Sequence, residues 1–138
     1  MTLVSIRIIT GDVKSLVDFY EQVTNLKLVQ FTDDFAELQT KSATLAIGST
    51  RTLSFFGGEE VAKAAQNRSA IIEFLVDDVD TEFARLESFL GKNVIQKPTL
   101  MPWGNKSLLF RDPDGNLVNL FTPTSAAAIK KFEGHLKS

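Results

Sequence analysis

Few side chains in this sequence are equipped for chemistry, and their types narrow what that chemistry can be. There is one histidine, His135, near the end of the chain, and there are no cysteines. The lack of cysteine removes disulfides, zinc-thiolate centres and thiol nucleophiles together, and a lone tail histidine makes a Ser-His-Asp relay infeasible. His135 reads either as a ligand or base or as an exposed helix residue. No Gly-x-Gly-x-x-Gly or Walker phosphate loop is present, and Gly57-Gly58 reads as a loop. What remains is a small set of polar and aromatic residues in or beside apolar runs. Arg7 lies within Leu3 to Thr10, Glu73 within Ile71 to Val76, and Asn119 and Phe121 within Leu117 to Phe121. Trp103 stands in the loop Pro102-Trp103-Gly104. Arginine, glutamate and asparagine can hydrogen-bond a polar ligand, glutamate can take a proton, and tryptophan can stack on a planar ring.

The elements that must position these residues follow from patterning. Residues 3–10 alternate as a strand with β-branched residues on both faces. Asp12 then offers a helix cap, and Val13, Leu16, Val17 and Tyr20 fall at i, i+3, i+4 and i+7, one apolar helical face. Asn25 suits the end of that helix because asparagine tolerates the left-handed conformation. Short strands are expected near residues 26–31, 35–39 and 43–47, with polar turns between them, and a further one over Thr52 to Phe56. The second half repeats the pattern: a strand over Ile71 to Val76, a cap at Asp78, a helix carrying Val79, Phe83, Leu86 and Leu90 that stops at Gly91, then strands near 93–96, 107–111 and 117–121. Asp112-Pro113-Asp114-Gly115 supplies the turn between the last two. Asp12 and Asp78 stand 66 residues apart, which aligns Val13 with Val79 and Arg7 with Glu73. Internal repetition at nearly half the chain length constrains architecture more than any single strand. Residues 59–68 read as a linker, and Thr124 or Ser125 caps an amphipathic last helix carrying Ala126, Ala127, Ala128, Ile129, Phe132 and Leu136.

Composition sets the context. A chain of 138 residues with 43% hydrophobic and 23% charged residues has the make-up of one soluble domain. The formal charge of -2, with no block of like charge and no interleaving of basic and aromatic residues, argues against nucleic acid or an anionic membrane as partner. No apolar run approaches the roughly 20 residues of a membrane helix, and Met1 to Ile9 lacks a signal-peptide pattern. A cytoplasmic location is the expectation.

Three stretches carry a family resemblance. Residues 6–20, ending in the pair Phe19-Tyr20, resemble the opening strand and helix of vicinal-oxygen-chelate proteins, the superfamily of glyoxalases, bleomycin-resistance proteins and extradiol dioxygenases. Residues 72–80 resemble the start of their second module, and Asp112-Pro113-Asp114-Gly115-Asn116 resembles their closing hairpin. The resemblance spans roughly residues 3–123. It implies an α+β fold of two βαβββ modules, about residues 1–57 and 69–123, forming a curved mixed sheet with a concave cup, followed by a C-terminal helix over about 124–136. It also implies a homodimer, and, in enzymes of the family, a divalent metal held in the cup as a Lewis acid.

Residue by residue, the resemblance places Ser5, Ile71 and Asn119 at family ligand positions, with a fourth near Leu45. Such residues cannot hold a catalytic transition metal, which calls for about three or four histidine or carboxylate donors. Neither metal nor cofactor is therefore expected. Alternation along each strand groups Ser5, Arg7 and Ile9, then Ile71, Glu73 and Leu75, then Leu117, Asn119 and Phe121. Arg7, Glu73, Asn119 and Phe121 should thus share the cup with Trp103, which reads either as a stacking surface for a planar ligand or as a plug at the core edge. A buried arginine and glutamate are costly unless paired, so a salt bridge from Arg7 to Glu73 is one expectation; contact with a polar ligand is the other. The function these residues imply is metal-independent binding of a small hydrophobic or aromatic molecule, as in drug sequestration and resistance. The alternative is a lyase or isomerase with Glu73 as base; a metal-dependent dioxygenase or glyoxalase is the poorer third reading.

Overall fold

The computed structural model describes residues 1–135 and divides them into two compact units, Met1–Asn67 with Pro113–Gly115, and Arg68–Asp112 with the described residues from Asn116 onward. Leu136 of the expected last helix lies outside the described residues.

The first unit runs β1 (Ser5–Thr10), α1 (Val13–Thr24), β2 (Val29–Thr32), β3 (Phe35–Gln39) and β4 (Thr44–Ser49). Its four-stranded sheet has the order β1-β4-β3-β2, with β1 parallel to β4 and the other pairs antiparallel. Helix α1 starts where expected, because the Asp12 side chain accepts a hydrogen bond from the Ser15 N–H at 3.1 Å. It ends at Asn25, which sits at φ 57° in the left-handed region. Its buried face comprises Val13, Leu16, Val17, Phe19, Tyr20 and Val23. Each such side chain removed from water contributes about 1.5–3 kcal/mol, which makes this face the main attachment of helix to sheet.

Two local expectations are corrected. The strand foreseen from Leu26 begins only at Val29, since the Glu21 carboxylate accepts the Leu28 N–H at 2.9 Å and the Thr24 hydroxyl accepts that of Leu26 at 3.2 Å, taking both amides out of the ladder. The strand foreseen over Thr52 to Phe56 is a 3-10 helix, Thr50–Phe55. Hydroxyl groups decide this: Ser49 Oγ accepts from the Arg51 N–H at 3.1 Å, and Thr52 Oγ1 donates to the Ser49 carbonyl at 2.7 Å. Such local bonds offer the backbone an alternative to a ladder.

The loop before β3 is tied to that helix through Asp34. Hydrogen bonds from Ser49 Oγ, at 2.8 Å, and then from Arg51 hold the Asp34 carboxyl below its ordinary pKa of 3.8. A carboxyl depressed by folding stabilises the native state above its unfolded pKa, and that contribution disappears as pH falls through the folded value. The stability difference between the wild type and Asp34→Asn should therefore be constant near neutrality and shrink on acidification below about pH 4. Chemical denaturation at a series of pH values measures it, and a difference that grows on acidification would contradict the assignment.

The second unit repeats the order: β5 (Ile71–Leu75), α2 (Val79–Leu90), β6 (Val94–Leu100), β7 (Asn105–Arg111) and β8 (Leu117–Pro123), then α3 (Ala126–Lys131). Its sheet has the order β5-β8-β7-β6, again with one parallel pair, β5 with β8. Asp78 caps α2 through the Asp80 N–H, and Ser125 caps α3 through the Ala128 N–H. Strand β6 runs past Gln96 through Pro98 to Leu100, longer than expected. It lies at the sheet edge and is twice shifted in register against β7, which is where proline is tolerated in a sheet. At the β7–β8 turn, the buried Asp112 and Asn116 lock together: Asn116 donates its backbone N–H and its Nδ2 to the two Asp112 carboxylate oxygens at 2.9 and 2.8 Å. Among the described residues no helix is long and apolar enough to cross a membrane.

Candidate functional site

In each unit one sheet face meets the helix and the other carries the candidate residues. In the second unit the helix side is fixed by contacts: Lys106 Nζ donates to Asp80 of α2 at 2.7 Å, and the Val79 N–H donates to Thr122 Oγ1 at 2.8 Å. Leu108, Phe110, Val118 and Leu120 share that side and are buried. Their alternates therefore form the opposite face: Ile71, Glu73 and Leu75 on β5, Leu117, Asn119 and Phe121 on β8, and Asn105, Ser107 and Leu109 on β7.

Glu73 and Asn119 are direct neighbours in the β5–β8 register, and Asn119 Nδ2 donates to Glu73 Oε2 at 2.9 Å. Asn119 is only 8% exposed, whereas Glu73 is exposed. Phe121, also buried, meets Phe132 edge-on at 5.2 Å between ring centroids, so the segment after α3 covers one end of this face. Among the described residues, three polar atoms on the face are buried without a hydrogen-bond partner: Asn105 Oδ1, Ser107 Oγ and Asn119 Oδ1. An unmatched buried acceptor or hydroxyl costs about 1–3 kcal/mol relative to a satisfied one. Sequence reading missed Asn105 and Ser107, although polar residues alternating with Leu108 and Phe110 were the visible signal.

In the first unit Arg7 reaches across the sheet. Its guanidinium carbon stands 4.6 Å from the Phe35 ring centroid and 5.2 Å from that of Phe56, and Phe31 lies 5.7 Å from Phe35. Gly48 makes room for this path, because a Cβ there would stand 3.4 Å from Arg7 Cδ and 3.2 Å from Thr52 Oγ1. Arg7 is exposed and held by aromatic faces, and Glu73 is exposed and held by an amide. The premise of a buried ion pair thus fails for both: each finds its partner within its own unit.

Trp103 is 68% exposed, in a turn closed by the Gly104 N–H donating to the Met101 carbonyl at 3.0 Å. It does not plug the core edge. His135 is exposed and its ring lies 5.9 Å from Phe132. A groove of about 640 Å³ opens elsewhere, along α1, and is lined by Asp12, Lys14, Asp18, Glu21, Gln30 and Arg51 among others. Its rim charges are largely engaged in exposed pairs, Lys14 with Asp18 and Arg51 with Asp34. Such pairs mark a solvated surface more than a ligand site.

Two βαβββ units, each with a parallel β–β pair framing a helix and a second face left for function, define the class. The chain belongs to the glyoxalase/bleomycin resistance protein/dioxygenase superfamily, whose model matches residues 2–120. It is 28% identical over 127 residues to the uncharacterized protein YraH of Bacillus subtilis (strain 168), covering 88% of this chain and 98% of that protein. A glyoxalase/bleomycin resistance protein/dioxygenase family enzyme from Burkholderia phytofirmans PsJN superposes with a TM-score of 0.77 at 17% identity, over 89% of this chain and 99% of that one. A structure from the mobile metagenome of V. Pseudocholerae gives a TM-score of 0.66 at 26% identity, over 91% and 96% of the two chains.

The metal used by enzymes of this superfamily does not fit the donors present. Ser5, Ile71 and Asn119, the residues that the resemblance matches to the family's ligand positions, are poor donors for a transition metal, and the half-exposed Ile71 has nothing to offer a cation. Among the described residues no three histidines, cysteines or carboxylates cluster so as to hold a metal ion.

Proposed function

We propose that this protein binds a small hydrophobic or aromatic molecule without the help of a metal, as a sequestering or resistance protein does. The open face of the second unit carries the reading: Ile71, Leu75, Leu109 and Phe121 surround the buried, incompletely hydrogen-bonded Asn119 and Ser107. An apolar surface with a few placed polar groups is the usual make-up of a small-molecule site. Exposed Trp103, and Arg7 stacked on Phe35 and Phe56, offer flat surfaces suited to aromatic rings. The orienting bond from Asn119 to Glu73 supports a positioning role for this carboxylate better than a role as base. A homodimer in the cytoplasm belongs to the same proposal, supported by the exposure of Phe31, Phe55 and Phe56 and by the lack of cysteine.

Native mass spectrometry with elemental analysis tests ligand, metal content and oligomeric state at once. The expected result is a metal-free dimer carrying a co-purified small molecule, lost in Leu109→Lys, which sets a charge on the open face. Stoichiometric iron, manganese, nickel or zinc would overturn the proposal, and a monomer would overturn its dimeric part. Conversion of the carried molecule on incubation would favour the lyase or isomerase reading through Glu73.

A further inference from the structure

Asn119 carries information about the ligand beyond its polarity. A side-chain amide can be turned over to present either oxygen or nitrogen to a neighbour, and which one it presents is decided by its hydrogen bonds. Here the neighbour decides, because a carboxylate accepts and does not donate. The Glu73 Oε2 therefore requires the Asn119 NH2 group, which it receives at 2.9 Å. The Asn119 carbonyl oxygen is left directed away from that bond, buried and without a partner among the described residues. Two residues along the same face, Ser107 pairs with Phe121 in the β7–β8 register, and its buried hydroxyl is likewise unmatched. A hydroxyl adapts to donor or acceptor; the locked amide cannot.

We infer that the open face of the second unit selects ligands that donate a hydrogen bond, namely aromatic or apolar molecules bearing O–H or N–H, such as phenols and aryl amines, over isosteres that only accept. The inference rests on the proposal that this protein binds small molecules, and it names their chemical class. Glu73 acts in it as a positioning residue that fixes the polarity of Asn119 without touching the ligand. A ligand carbonyl or ether oxygen placed against Asn119 Oδ1 sets acceptor against acceptor, and both lose their hydrogen bonds to water with nothing in return. A ligand O–H instead completes the amide's bonding. A site built to pair with a donor rejects the analogue that lacks one more strongly than an apolar site rejects a change of size.

Three naphthalenes of near-equal shape separate the possibilities by isothermal titration calorimetry: 1-naphthol, which donates; 1-methoxynaphthalene, which only accepts; and naphthalene itself, which does neither. The expected order has 1-naphthol about tenfold tighter than naphthalene, with 1-methoxynaphthalene no tighter than naphthalene. In Glu73→Gln the neighbouring amide can donate as well as accept, so Asn119 is free to turn over. The preference for 1-naphthol over naphthalene within that variant should then fall to less than about threefold. Equal binding of all three probes would overturn donor selection and leave small-molecule binding standing. Failure of all three to bind would overturn both. A preference that survives intact in Glu73→Gln would overturn the role given to Glu73.

Discussion

Phe110→Ala is expected to lower the unfolding free energy by about 3–5 kcal/mol, the range for truncating a fully buried phenylalanine. Phe110 has no exposed surface and lies in the middle of the second unit's sheet, on the side that faces α2. Its cross-strand neighbours Val94 and Val118 are held by the ladder and cannot follow the retreating ring. The loss therefore includes a cavity as well as the transferred surface. Against a total stability of about 5–15 kcal/mol for a typical domain, this one change removes a large share. Equilibrium urea denaturation measures it, with the midpoint falling and the slope unchanged. A loss below about 1 kcal/mol would show that α2 settles into the gap and that the layer is less tightly built than its burial indicates.

Gly104→Ala should cost about 2–4 kcal/mol, more than glycine-to-alanine changes ordinarily do. Gly104 sits at φ 95°, which an L-residue enters only under strain. A Cβ at this position would collide with Ser125 Oγ and stand 2.8 Å from Ser125 Cβ. The hydroxyl could swing aside, but Ser125 is the cap of α3, so moving it breaks the bond from the Ala128 N–H. The Gly104 carbonyl also accepts from the Thr124 N–H, the Ser125 N–H and the Thr124 hydroxyl, at 2.8, 3.0 and 2.9 Å. One residue thus joins the Trp103 turn to the start of α3. Because Trp103 is the only tryptophan, its emission reports on this junction directly. Gly134→Ala is the control: φ is 83°, but no atom of the described residues lies within 4 Å of the added Cβ. Strain alone should then cost about 1–2 kcal/mol, and equal losses at the two sites would show that the clash with Ser125 is relieved at no expense.

The parts of this fold that could be read in advance are those decided by neighbours in sequence. Asp12, Asp78 and Ser125 cap helices because their side chains reach amides two or three residues ahead. Asn25 takes the left-handed position for its own conformational reasons. The doubling of the βαβββ pattern was visible because each copy carries the same cap and the same apolar face. Thr52 to Phe56 misled because alternation alone cannot weigh a strand against hydroxyl groups that bond their own backbone, as Ser49 and Thr52 do. The candidate site was legible as a set of faces: Glu73, Asn119 and Phe121 do share one. Their partners were not legible, since Arg7 chooses Phe35 and Phe56 through a gap left by Gly48, which no periodicity reveals. Ser107 and Asn105 were missed for the same reason: a buried polar atom counts as unmatched only once every neighbour is known.

Helix α3 has a practical consequence for anyone handling the protein. At six residues it is far shorter than the roughly 12–15 that sustain an isolated helix in water. It stays in place through Ala128, its cap at Ser125, and the Phe132 ring laid against Phe121. Proteases should nick the chain here early in storage, leaving both sheets intact but uncovering Phe121. A preparation that looks uniform by its melting curve can then contain two species with different appetites for ligand. Intact-mass checks on each batch, and affinity tags kept at the other terminus, follow from so small a set of contacts.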